Sequence, residues 1–221
     1  MRRVLLFALL GSGLLATRAQ AAELPLVFSE NFEQGADRWK PTDPASWAIT
    51  KTPEGHVYSL TKDSDYKPVH RSPVNIALLE DVTVSDFVLD VRLQSTVKDY
   101  DHRSLVLVFG YQDPSHFYYV HFGKKTDDHA NQIFIVNDAP RVKISTKTTP
   151  GTPWDDAWHK VRITRNVESG AISVYFDDLN VPVMTAEDKT FRWGRIGIGA
   201  FDDLGNFDDI ELRGTIVERG K

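Results

Sequence analysis

Residues 87–93, FVLDVRL, alternate strictly: Phe87, Leu89, Val91 and Leu93 fall on one face, and Val88, Asp90 and Arg92 on the other. A period of two is the pattern of an extended chain with one buried face, because successive side chains point to opposite sides of a strand. Similar short segments recur at 27–32, 47–50, 57–60, 105–109, 117–122, 132–136, 194–201 and 207–213. Residues 158–165 and 171–176, separated by Glu168-Ser169-Gly170, read as a hairpin. Turn signals stand at Gln112-Asp113-Pro114, Asp138-Ala139-Pro140 and Asp203-Leu204-Gly205, and Pro68 and Pro73 mark an edge region. No long amphipathic helix and no internal repeat interrupts this series. The expectation is an all-β protein, a two-sheet antiparallel jelly-roll sandwich of about a dozen strands in one domain.

The first 21 residues read as an export signal. Arg2 and Arg3 form a basic start, residues 4–16 are apolar, and Ala19-Gln20-Ala21 suits a small-residue cleavage site. The apolar run is too short to span a bilayer, and no later segment is long and apolar enough, so no membrane span is expected. Residues 22–221 then form the folded domain, exported to a periplasm or beyond. The chain has no cysteine, so neither disulfides nor a thiolate nucleophile enter. Its formal charge is -5, and loss of the leader with Arg2, Arg3 and Arg18 makes it more acidic, which argues against a nucleic-acid partner. Within residues 98–143, however, Lys and Arg balance Asp, and four of the seven histidines lie there. That local shift suits an anionic ligand.

The order of motifs resembles the concanavalin A-like lectin/glucanase superfamily. The resemblance rests on the opening Phe28-Ser29-Glu30-Asn31-Phe32, on Trp39 and Trp47, and on Phe117-Tyr118-Tyr119. It continues through Trp158-His159-Lys160-Val161-Arg162-Ile163, Val174-Tyr175-Phe176-Asp177, Gly194-Arg195-Ile196-Gly197-Ile198-Gly199 and the closing Phe207-Asp208-Asp209-Ile210. Within the superfamily the chain is similar to laminin-G-like domains and to the secreted 3-keto-disaccharide hydrolase, or glycoside-hydrolase-16-like, domains. The resemblance implies two curved sheets packed face to face, with a carbohydrate site on the concave side. It also implies a structural calcium on the convex side, near the paired first and last strands, where Glu30 and Asp208 match the ligand positions; carboxylate oxygens suit that ion.

Three kinds of function follow. Retaining glucanases of this fold take two carboxylates, about 5 Å apart, from one strand. No segment here carries their Glu-x-Asp-x-(x)-Glu pattern, so that chemistry is disfavoured. On residues 117–122 the two-residue period puts Phe117, Tyr119 and His121 on one face and Tyr118, Val120 and Phe122 on the other. Tyr119 and His121 with Arg141 are therefore the candidate catalytic group of a polysaccharide lyase or keto-sugar hydrolase: His121 would move a proton, and Arg141, Arg103 and Asn137 would polarise an acidic sugar. The signature motifs of alginate lyases are missing.

Pure recognition asks less. A lectin-like site needs an aromatic platform with polar groups around it, and Tyr119, His121, Arg141, Arg103, His129, Asn131, Asn137 and Trp154 meet that description. The loop from Lys124 to Asn131 would form its rim; its Asp127, Asp128 and His129 do not have zinc-site or calcium-loop spacing. Trp39, Trp47, Trp158 and Trp193 are assigned to packing. The leading expectation is a secreted carbohydrate-binding domain, the second a glycan-cleaving enzyme, and the third a laminin-G-like adhesion module without a small ligand.

Overall fold

The computed structural model describes residues 23–218, so the stretch expected to be an export signal lies outside the described residues. Two antiparallel sheets face each other. The larger runs β11 (Ser145–Thr148), β14 (Met184–Glu187), β13 (Ala171–Phe176), β12 (His159–Arg165), β6 (Val84–Ser95), β16 (Gly205–Ile216), β4 (Gly55–Leu60) and β3 (Trp47–Thr52). β1 (Leu26–Glu30) also pairs with β16, so the first and last strands meet as the resemblance implies. The smaller sheet runs β10 (Val142–Lys143), β9 (Gln132–Asn137), β8 (His116–Gly123), β7 (Ser104–Asp113), β15 (Arg195–Ala200), β5 (Asn75–Leu79) and β2 (Trp39–Pro41). The segment bearing Pro68 and Pro73 leads into β5, which is one strand in from the edge. β2 takes the edge instead. Among the described residues, no helix is long and apolar enough to cross a membrane.

The expected alternation holds where one face meets solvent. Leu89, Val91 and Leu93 of β6 are fully buried between the sheets, while outward Asp90 is clamped by Arg162 of β12 at 2.8 and 2.7 Å. Arg92 reaches Asp209 and Glu54 at 2.9 and 3.0 Å, and its guanidinium lies over Trp158 at 4.9 Å. This part of the larger sheet's outer face is thus a lattice of mutually compensated charges.

The smaller sheet is different, because both of its faces are buried. Tyr118, Val120 and Phe122 of β8 point into the core between the sheets. On the opposite face Phe117 and Tyr119 join Ile76, Leu78, Val106, Val108, Tyr111, Phe134 and Val136 in a second apolar cluster, with Phe201 packed against it. Strands buried on both sides read as continuous apolar runs, which is why β7 (SLVLVF) and β8 (FYYV) lack clean alternation. The connection from β4 to β5 contributes to the cover. Its Arg71 carbonyl accepts from the Arg141 backbone N–H at 3.1 Å, and Tyr66 and Arg71 are electrostatic neighbours of Tyr111 and Tyr119.

Candidate functional site

On the outer face of the smaller sheet an aromatic pile holds one guanidinium. Tyr119 stacks on Phe134 of the neighbouring strand, with centroids 5.0 Å apart and an interplanar angle of 16°. The His121 ring stacks on Phe201 at 5.2 Å. Arg141, which follows the turn after β9, lays its guanidinium 4.9 Å from the Phe134 centroid and 4.4 Å from that of Phe201. Its Nη1 donates to the Tyr119 hydroxyl at 3.0 Å. Tyr119, His121 and Arg141 therefore do converge, as the parity of β8 requires.

Their access is not what the sequence leads one to expect. Tyr119 is fully buried, and burial pushes its phenol well above the ordinary range. His121 is 7% exposed. Burial, and next the Arg141 charge, pull its pKa from 6.5 down to about 4, so the ring is neutral at neutral pH. Its Nδ1 lies 2.8 Å from the His129 carbonyl, which only a protonated Nδ1 can satisfy. Nε2 is then an acceptor, and it is sealed in without a partner. A general base must reach the proton it abstracts, and this one faces protein. The accessible member of the trio is Arg141, which is half-buried.

Three further expected site residues are structural. Arg103 is 1% exposed and binds Ser95 Oγ and O at 3.0 and 2.9 Å and Asp156 Oδ1 at 2.8 Å, tying the end of β6 to the loop before β12. Trp154 is not part of an exposed aromatic platform: it enters the core, with Nε1 donating to the Phe122 carbonyl at 3.0 Å and its ring edge-on to His159 and Phe176. Asn131 takes a left-handed backbone (φ 53°), and its buried amide nitrogen donates to Thr126 Oγ1, Thr148 Oγ1 and the Thr149 carbonyl. It braces the loop from within and offers nothing to a ligand. His129 and Asn137 are exposed, consistent with a rim. Trp39 and Trp47 are buried, as expected, whereas Trp193 is 37% exposed.

Phe134 and Phe201 of the pile, and Arg71 beside it, lie outside the sequence expectation. The signal for Arg71 is compositional: residues 66–79 contain Lys67, His70 and Arg71 and no acid. Phe201 follows the end of β15, and nothing local to it indicates that its ring turns back over His121.

At the other expected site, β16 passes from pairing with β4 (205–207) to pairing with β1 (210–213). At the handover the β16–β6 register shifts and Asp209 adopts φ 44°. Asp208 sits there with a buried Oδ1 that has no partner. Burial foremost, with Asp209 and Glu33 adding negative charge, raises its carboxyl to about 6 against the pull of Arg92. Glu30 Oε1 accepts from the Asn31 and Phe32 backbone N–H groups at 3.2 and 3.0 Å. An orphaned carboxylate oxygen among acids is what a hard cation would satisfy. Among the described residues, however, no group of three or more His, Asp or Glu side chains is arranged so that it could hold a metal ion. Calcium at Glu30 and Asp208 would take most of its six to eight oxygens from backbone and water. Nearby, an open cleft of about 480 Å³ on the larger sheet is lined by Glu30, Asp90, Arg92, Lys160 and Glu211.

No family model matches the chain, and no curated protein matches it either. Solved structures do. The carbohydrate binding module CBM66 from Bacillus subtilis superposes with a TM-score of 0.58 at 16% identity, over 80% of this chain and 96% of that one. Cellulose induced protein Cip1 gives 0.59 at 12% identity, over 87% and 100%. The Lotus tetragonolobus seed lectin gives 0.53 at 13% identity, over 87% and 99%. At these identities the likeness speaks for architecture alone. The fold of this chain is the concanavalin A-like, two-sheet antiparallel jelly roll.

Proposed function

We propose that this protein is an exported carbohydrate-recognising domain whose ligand sits on the outer face of the smaller sheet, against Arg141 and the half-buried ring of Phe201. One observation carries the placement: the guanidinium of half-buried Arg141 set over two rings, with the Tyr119 hydroxyl as its single acceptor among the described residues. A planar array of N–H donors beside an apolar ring face matches a sugar, which presents hydroxyl oxygens at its rim and C–H groups on its faces. His129 and Asn137 supply further polar groups at the border. Several structural neighbours, a carbohydrate binding module and legume lectins among them, support the ligand class.

Tyr119 acts here as a positioning residue for Arg141 and not as a ligand contact. The lyase alternative requires Tyr119 and His121 to touch substrate, and their burial speaks against it. A structural calcium at Glu30 and Asp208 belongs to the same proposal, supported by the unpartnered Asp208 oxygen. The test is binding of the mature protein to an immobilised panel of neutral and acidic plant, algal and microbial polysaccharides. Retention on at least one, weakened about tenfold or more in Arg141→Ala, is the expected result, on the scale of a lost hydrogen bond to a charged group. Failure to bind any of the panel would sink the reading and leave the adhesion module.

A further inference from the structure

We infer that the recognised sugar carries an acidic group, a carboxylate or sulfate ester, which Arg71 and Arg141 engage together; this rests on the carbohydrate reading above and adds to it the ligand's charge. The first ground is an absence of internal compensation. Several cations elsewhere on the molecule are matched: Arg92 to Glu54 and Asp209, Arg162 to Asp90, Arg103 to Asp156, Lys143 to Asp128. Among the described residues, neither Arg71 nor Arg141 has a carboxylate partner.

The second ground is their juxtaposition. The Arg141 backbone N–H donates to the Arg71 carbonyl at 3.1 Å, and both guanidinium charges act on the same Tyr119 hydroxyl. The segments that bring them there are free of acids: residues 66–79 contain none, and neither do residues 139–149. The nearest acid in sequence to Arg141 is Asp138, and its carboxylate is already held by His116 at 3.1 Å.

The third ground is pre-organisation. Arg141 gains its orientation from Phe134, Phe201 and Tyr119 before any ligand arrives, so little side-chain freedom remains to be lost on binding. A guanidinium presents parallel N–H groups that match two oxygens of a carboxylate or sulfate, and partial exclusion of water strengthens that pairing. Arg71 is exposed and adds charge at the entrance. On the outer face of the larger sheet, by contrast, Arg92 and Arg162 are already neutralised by neighbouring carboxylates.

The experiment compares pairs that differ only in charge. Polygalacturonate is set against its fully methyl-esterified form for the carboxylate, and dextran sulfate against dextran for the sulfate. Binding is followed by affinity electrophoresis and calorimetry at low salt and at about 0.5 M salt. We expect at least one acidic member to bind about tenfold or more tightly than its neutral partner, with the preference shrinking as salt rises. The arm that binds tells carboxylate from sulfate. Arg71→Gln, an exposed change that leaves the aromatic pile untouched, should reduce the preference severalfold, and Arg141→Gln should abolish it. Neutral members binding as well as acidic ones would overturn the inference and leave the carbohydrate reading standing. An acidic preference unchanged in both variants would overturn the assignment to these arginines. No binding to either member of either pair, nor to the wider panel, would overturn both readings.

Discussion

His121 makes the stability of this protein depend on pH in a way that can be isolated. Its ring is buried against Phe201, and its pKa falls from 6.5 to about 4 in the folded state. In the unfolded chain it returns to 6.5, so between these values the unfolded state binds a proton that the folded state refuses. The stability that depends on neutral His121 is therefore fully present above about pH 6.5 and is lost as pH falls towards about 4. Linkage gives about 2 kcal/mol lost between about pH 7 and pH 5, and about 3 kcal/mol by about pH 4. Carboxylates titrate over part of the same range, so a reference is needed. His121→Asn suits, because its amide nitrogen can replace Nδ1 as donor to the His129 carbonyl and it does not titrate. Urea unfolding of both proteins at fixed ionic strength, from about pH 7 to pH 5, should show the gap between them closing by about 2 kcal/mol as the solution is acidified. Parallel pH profiles would mean that His121 is solvated in the folded state, and would reopen its use as a base.

Arg103→Ala should cost about 2–4 kcal/mol, by leaving buried Ser95 groups without a donor and opening a cavity beneath the loop before β12; chemical denaturation reads it, and a loss under about 1 kcal/mol would contradict the pinning role. Phe134→Ala should cost about 3–5 kcal/mol and also release Arg141, so that glycan retention weakens even under conditions where the variant is fully folded; a folded variant with unchanged retention would separate the pile from the site. If calcium occupies Glu30 and Asp208, chelator should lower the melting temperature of the wild type and leave Asp208→Asn unmoved, and a melting temperature indifferent to chelator would refute it. His116, held by Asp113 foremost and by Asp138, should titrate above its ordinary value by NMR, and Asp113→Asn should lower that midpoint; any stability it contributes is present at low pH and lost as pH rises through the raised value.

Much of the architecture is legible because strand patterns report burial locally. The alternation in β6, the hairpin of β12 and β13, and the meeting of β1 with β16 all follow from short stretches or from motif order. β2, β5, β10, β11 and β14 carry no comparable signal. NIALL in β5 is apolar throughout and lacks a period, while STKT in β11 and the two residues of β10 are too short and polar to announce themselves. Of the candidate site, the shared face of Tyr119 and His121 is legible. The interior roles of Trp154, Arg103 and Asn131 are not, because each depends on partners distant in sequence: Phe122, Asp156 and Thr149.

By itself, then, the sequence determined that this is an all-β sandwich without disulfides, and that Tyr119 and His121 point away from Tyr118 and Phe122. The strand content and that parity both rest on a two-residue period that every regular strand must obey. Only the tertiary structure decided that the face they share is covered. That depends on the path of the segment carrying Tyr66 and Arg71, on Phe201 turning over His121, and on Arg141 closing the pile, none of which a local pattern encodes. The same closure moved the site's accessible chemistry from a tyrosine and a histidine to a pair of arginines, because long cationic side chains keep their heads near water while shorter aromatic ones are sealed beneath them.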